Sequence, residues 1–178
     1  MTAPNFGGDS SIHVASFIAV HDVLERTRAR YLVTLLHAPA LMPTPHWIEP
    51  GDHLRLACHD VVVEAADAPD AAHVRDLIAF AQRWNRNGPI VVHCMAGISR
   101  STAAAFVVLC ALNPQKDENA LVAHLRAASP SAMPNKRLIA LADTALARNG
   151  RMVAAIATID VGGALAAPAK PFRLDSQH

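Results

Sequence analysis

Apolar residues along this chain switch repeatedly between a strand-like and a helix-like spacing. Ile12 to Phe17 is a short apolar run with β-branched members and reads as a strand. Val20, Val23 and Leu24 recur at helical spacing within about Ala19 to Ala29. Tyr31 to Leu36 (YLVTLL) lacks alternation, as expected of a strand buried on both faces. His53 to Ala57 (HLRLA) alternates and predicts another strand. Asp70 can cap a helix whose apolar face is Val74, Leu77, Ile78 and Ala81, running to about Trp84. Asn87-Gly88-Pro89 stops it, and Ile90 to His93 predicts a short strand. A helix starting near Ser99 and running through STAAAFVVLCAL is apolar nearly all round and so predicted to be buried, and Asn113-Pro114 ends it. Leu121, Val122 and Leu125 mark a further helix. Leu138, Ile139, Ala142, Ala145 and Leu146 mark another, closed by Gly150. Met152 to Ile159 predicts a last short one.

Between these elements, HAPALMPTPHWIEPGD (37–52) holds four prolines and a glycine and reads as a loop. Its length is unusual in a compact domain and makes it a candidate substrate-side loop. Residues 61–69 look irregular. The tail from Gly162 is rich in Gly, Ala and Pro, with Phe172 and Leu174 as docking anchors. Strands alternating with helices predict an α/β fold with a mostly parallel central sheet flanked by helices. The length of 178 residues suits a single domain over 1–178, with a core of about 12–150 and a C-terminal helix and tail over 151–178. In such sheets ligands sit beyond the carboxyl ends of the strands, so the turn leaving Ile90–His93 is the place to look first.

Composition narrows the function. Half of the chain is apolar (52%) and 17% is charged, enough to fill a core. Sixteen Lys and Arg against fifteen Asp and Glu leave a net charge of +1, no bulk field for nucleic acid or an acidic membrane. An aromatic share of 4% is too thin for base-stacking platforms. Cys58, Cys94 and Cys110 make no disulfide framework and no C-x-x-C pair. The ten histidines, His93 apart, are scattered without metal-ligand spacing, so neither a metal nor another cofactor is expected. No apolar run reaches the roughly 18 residues of a membrane span: Val153–Ala169 is broken by Asp160, two glycines and Pro168. MTAPNFGGDSS does not read as a secretory signal, and the expected location is the reducing cytoplasm.

The turn after Ile90–His93 reads His93-Cys94-Met95-Ala96-Gly97-Ile98-Ser99-Arg100-Ser101. A cysteine ends a buried strand, five residues follow, and an arginine opens a buried helix. This resembles the H-C-x5-R-[S/T] phosphate-binding loop of the cysteine-dependent protein tyrosine phosphatase superfamily, most closely its compact dual-specificity type. The order of elements from Ile12 to Ala147 follows that family, and SPSAMPNKRL is similar to a segment many members carry before the last long helix. The whole chain looks like small bacterial proteins assigned as tyrosine phosphatases.

The residue types suit the chemistry this resemblance implies. A phosphate dianion needs several donors converging from one side. Amides of Met95, Ala96, Gly97, Ile98, Ser99 and Arg100 in a tight loop would form a nest, helped by the helix N-terminus. Gly97 admits conformations closed to other residues. The Arg100 fork matches two equatorial phosphate oxygens. Cys94 is the expected nucleophile, attacking as thiolate to form a phosphocysteine intermediate. The resemblance assigns Ser101 a hydrogen bond to that sulfur which helps it leave, and His93 a role in holding the loop. It also places the acid that protonates the leaving oxygen after the preceding strand, where HLRLACHD puts Asp60; Asp67, Asp70 and Glu64 are rivals on the same excursion.

The implied activity is a phosphomonoester phosphatase acting on a phosphorylated protein, as a tyrosine or dual-specificity enzyme, or on a small phosphate ester. The alternatives are the same fold acting on a phosphoinositide or other non-protein phosphate, and a phosphoprotein-binding pseudophosphatase. The loop carries no extra lysine for a polyanionic inositide, and Cys94, Arg100 and Asp60 are all present. A sulfurtransferase also sets a cysteine on an anion-cradling loop, but the H-C…R-S frame fits it poorly. Cys58 reads as a buried strand cysteine or as a redox partner for Cys94. Cys110 reads as core. Lys136 and Arg137 are candidates to face substrate. Oligomeric state is left open.

Overall fold

The apolar runs become the strands of one sheet in the computed structural model, which describes residues 9–159 and 168–177. Strands β1 (Ser11–Ser16), β2 (Tyr31–Leu36), β3 (His53–Ala57) and β4 (Ile90–Cys94) are joined by parallel pairings β1–β4, β4–β2 and β2–β3. A fifth strand, β5 (Phe172–Asp175), pairs antiparallel with β1, giving the order β3-β2-β4-β1-β5. The sheet is therefore mostly parallel, as the alternation of elements predicts. β4 lies at its centre with parallel neighbours on both sides, and all five of its residues are buried. That double burial is why IVVHC shows no polar alternation.

The period-two rule sorts the strand side chains between two cores. Val33, Leu35, Ile90 and Val92 face a large core built with α2 (Ala71–Arg83), α3 (Arg100–Leu112), α4 (Glu118–Ala128), α5 (Lys136–Ala145) and α6 (Arg151–Ala157). Leu32, Leu36 and Val91 face a smaller one with α1 (Val20–Thr27). α3 runs through the middle of the large core with eleven buried residues, which is the reason STAAAFVVLCAL has no polar face.

Two expectations change and one gains detail. The proline-rich 37–52 segment is a loop, and its first residue, His37, stacks on His59 beside Asp60 (ring centroids 5.1 Å). β2 and β3 are parallel neighbours, so the chain must cross back over the sheet between them, and here a loop with 3-10 turns at Pro39–Leu41 and Pro50–Asp52 makes the crossover. Met42 and Ile48 are buried in the small core, and the Trp47 indole N–H donates to the Ala29 carbonyl. Gly150 does not close α5. That helix ends at Ala145, and Gly150 (φ 86°) is the N-cap of α6. The buried Asp143 carboxylate accepts from the amides of Gly150 (2.6 Å) and Met152 (2.8 Å), satisfying the start of α6 from another helix. Finally, Phe172 and Leu174 are more than docking anchors: they form an edge strand, with Leu174 fully buried opposite Ile12. The rest of that tail, Gly162 to Ala167, lies outside the described residues.

Candidate active site

β4 delivers Cys94 to the carboxyl end of the sheet, where the chain turns through residues 95–99 into α3. The loop is held from outside by its carbonyls. Met95 O accepts from Phe17 N–H after β1 (3.1 Å), Ala96 O from Ala169 N–H before β5 (2.9 Å), and Ile98 O from Met133 N–H (2.9 Å). Ser99 O accepts from Asn135 N–H (3.3 Å) and from Ala103 N–H (2.9 Å). All peptide bonds here are trans. In a planar trans peptide the N–H points opposite to the C=O. Turning those four carbonyls outward therefore turns the N–H groups of Ala96, Gly97, Ser99 and Arg100 inward, over Cys94. One of them is seen doing so: Gly97 N–H donates to Cys94 Sγ at 3.3 Å.

Gly97 has φ +73°, and a Cβ there would lie 2.9 Å from Ser16 N and 3.1 Å from the Ala15 carbonyl carbon. The loop is pressed against the end of β1, and only glycine fits both the angle and the space.

Cys94 is 1% exposed. Its sulfur also lies 3.1 Å from Ser101 Oγ in the first turn of α3. Arg100 is buried beside it. One guanidinium nitrogen, Nη1, donates to the Cys58 carbonyl at 2.7 Å. Nε has no hydrogen-bond partner among the described residues and makes a long ion pair with Asp60 Oδ2 at 3.9 Å. That buried cationic donor is left with room for an acceptor closer than Asp60. The N-cap of α3 tells the same story. Ser99 makes no side-chain cap bond, so its hydroxyl does not consume the helix's first amides.

Instead, Ser99 Oγ donates to Asp60 Oδ1 at 2.7 Å, and Asn135 Nδ2 donates to the same oxygen at 2.8 Å. The structure thus brings Asp60 to the loop mouth. The rivals lie elsewhere: Asp67 pairs with His59 at 4.0 Å, and Asp70 caps α2 in a capping box with His73. Glu64 is exposed.

His93 sits behind the loop, fully buried. Its Nε2 lies 2.8 Å from Thr34 Oγ1, which lies 2.8 Å from His53 Nε2; His53 Nδ1 in turn meets Thr44 Oγ1 at 2.9 Å. Thr34 has one hydroxyl hydrogen, so one ring accepts from it while the other donates to it. Burial pushes the pKa of His93 down to about 4, partly opposed by the Cys94 backbone, and burial pushes that of His53 down to about 3. Both rings are neutral at pH 7, so this relay braces β2, β3 and β4 without adding charge. The other thiols are inert for the same reason: burial raises Cys58 to about 11 and Cys110 to about 12.

Two participants escape sequence reasoning. Asn135 lies in SPSAMPNKRL, but neither residue type nor spacing reveals that it both caps α5, through Arg137 and Leu138 N–H, and holds Asp60. Thr34 is a polar residue inside the apolar run YLVTLL, a signal that a buried hydroxyl has a partner. Arg137 turns away to the Pro69 carbonyl (2.7 Å), whereas Lys136 remains exposed. Among the described residues no group of three or more His, Cys, Asp or Glu side chains is placed to hold a metal ion, and no helix is long and apolar enough to cross a membrane.

A family profile described as protein-tyrosine phosphatase matches residues 64–141, a span that contains 93–101 but stops short of Asp60. No curated protein sequence matches. Among solved structures, human DUSP28 is similar with a TM-score of 0.59 at 22% identity, covering 83% of this chain and 91% of that one. The PTP-2 phosphatase of Cydia pomonella gives 0.58 at 20% identity over 75% and 84%. PTPMT1, solved in complex with PI(5)P, gives 0.57 at 16% identity over 79% and 96%. At these identities the likeness is one of fold.

Proposed function

We propose that the chain is a cysteine-dependent phosphatase of the tyrosine and dual-specificity type and that it hydrolyses phosphomonoesters on proteins through a phosphocysteine intermediate. The observation that carries this reading is the buried Arg100, whose Nε has no hydrogen-bond acceptor among the described residues, beside Cys94 Sγ and under a ring of inward amides. A phosphoryl group seated there meets the Arg100 fork and the amides of Met95 to Arg100. Its phosphorus lies in front of the Cys94 sulfur.

The thiolate attacks phosphorus, a S–P bond forms and the ester P–O bond breaks. The donors already point where equatorial charge accumulates, so they need not reorganise. Asp60 protonates the departing oxygen, then as a carboxylate takes a proton from water, which attacks phosphorus and expels the Cys94 sulfur. Ser101 Oγ stabilises that sulfur as it leaves. The positive field comes from amides and one guanidinium, so the proposed reaction calls for no cofactor. The nucleophile must stay reduced, which fits the cytoplasm as the proposed location.

The test is a metal-free turnover panel of phosphotyrosine peptide, phosphoserine peptide and inositol phosphates, with EDTA present. Hydrolysis of the phosphotyrosine peptide at the highest kcat/KM is expected. Preference for inositol phosphates would replace the protein substrate, and no turnover of any member would overturn the reading.

A further inference from the structure

A cavity adjoins the phosphate loop. It measures about 290 Å³, and Val62, Ile156 and Ile159 supply its apolar walls. Ser99 and Asn135 line it too. These are the two residues that hydrogen-bond Asp60, so the cavity and the loop mouth share a wall. The shared wall is tied to the loop: Met133 and Asn135 donate their backbone amides to the Ile98 and Ser99 carbonyls. Lys136 stands on the rim, exposed and without an ion-pair partner among the described residues.

The approach to the site is apolar as well. Most large hydrophobic side chains are buried, yet Val62 (58% exposed), Val63 (66%), Met95 (42%) and Ile18 (77%) stand on the segments that frame the loop. Exposed aliphatic residues gathered at one place mark a surface that meets something apolar.

A cavity of this size is at the lower end for a ligand site, suited to one or two side chains rather than a long acyl tail. Chain neighbours of a phosphorylated residue lie within a few ångströms of it, about 3.3 Å per residue when extended. We propose that the cavity is a specificity subsite which takes a large aliphatic or aromatic side chain next to the phosphorylated residue of a protein substrate, while Lys136 meets an acidic neighbour. This rests on the phosphatase reading above.

The experiment uses the full chain and phosphotyrosine peptides in a glycine background, with one leucine walked through the two positions on either side of phosphotyrosine. A small aryl phosphate, with no side chain to seat, is run in parallel. One leucine position is expected to raise kcat/KM by roughly tenfold or more, the usual scale for an added apolar group in a fitting pocket. Val62→Asp should bring the ratio of leucine to glycine peptide close to one. Lys136→Glu should turn a preference for an adjacent aspartate into a penalty. If the aryl phosphate is hydrolysed but no leucine position gains more than twofold, the subsite is wrong and the phosphatase reading stands. If neither peptides nor aryl phosphate are hydrolysed, both fail. Faster turnover of a long-chain lipid phosphate in mixed micelles than of any peptide would assign the cavity to an acyl chain and overturn the proposal.

Discussion

Replacing Gly97 by alanine tests how the loop is aimed. The new Cβ would stand 2.9 Å from Ser16 N, whereas ordinary contact begins near 3.4 Å, and the atoms it meets belong to the backbone of the central sheet. β1 cannot yield without disturbing its pairing with β4, so the loop must move by about half an ångström. Two costs add: about 1–2 kcal/mol for an L side chain at positive φ and about 1–3 kcal/mol for overpacking. Gly150→Ala separates them, because Gly150 also has positive φ (+86°) but open space around its Cβ position. That variant should lose only the first amount and keep its activity. Gly97→Ala should lose more stability and also activity. A misplacement near 1 Å in a positioned site can cost about a hundredfold, so a loss of roughly tenfold or more in kcat/KM is expected from the smaller shift. Urea unfolding and hydrolysis of a small aryl phosphate read the two effects. Equal destabilisation of the two variants, with kcat/KM of Gly97→Ala within twofold of wild type, would refute the reasoning.

Asp60→Asn should cut turnover of a phosphotyrosine peptide by about 10²- to 10⁴-fold, and that of a strongly activated aryl phosphate much less, because only the poorer leaving group needs a proton. Asp67→Asn should do neither; the reverse pattern would move the acid to Asp67. Acid should also weaken the fold. His93 and His53 titrate near the ordinary 6.5 when unfolded but at about 4 and about 3 when folded. Between these values the unfolded chain binds protons that the native one does not, so stability is full above about 6.5 and falls as pH drops toward 4. The slope is at most about 1.4 kcal/mol per pH unit for each histidine. His53→Gln should lose part of this slope in urea unfolding at pH 7, 6 and 5; an unchanged slope would count against the relay.

The strand, loop and helix around Cys94 were legible because they are one continuous stretch of chain: an apolar run, a glycine-bearing turn and an all-round apolar helix. What the sequence concealed depends on distant segments. Asp60 meets Ser99 across 39 residues and Asn135 across 75, and local pattern carries no trace of either bond. Its assignment came from resemblance. Proline content marked 37–52 as irregular backbone but not where that backbone packs: Met42 and Ile48 are buried in the small core. β5 was missed because Phe172–Asp175 is too short to show a period, and its strand conformation is imposed by the open edge of β1. Gly150 looked like a stop because glycine suits both a helix end and a left-handed start; Asp143 settles which.

The covalent step is the centre of the account. Ser101 Oγ is 3.1 Å from Cys94 Sγ, so Ser101→Ala should slow release of the sulfur more than its attack and let the intermediate accumulate. Ser101→Ala is mixed rapidly with a radiolabelled phosphotyrosine peptide, quenched, digested and mapped. The account predicts phosphate bound through sulfur at Cys94, approaching one group per chain, and none in Ser101→Ala carrying Cys94→Ser as well. Peptide hydrolysis without any labelled enzyme, or label that persists when Cys94 is serine, would contradict it.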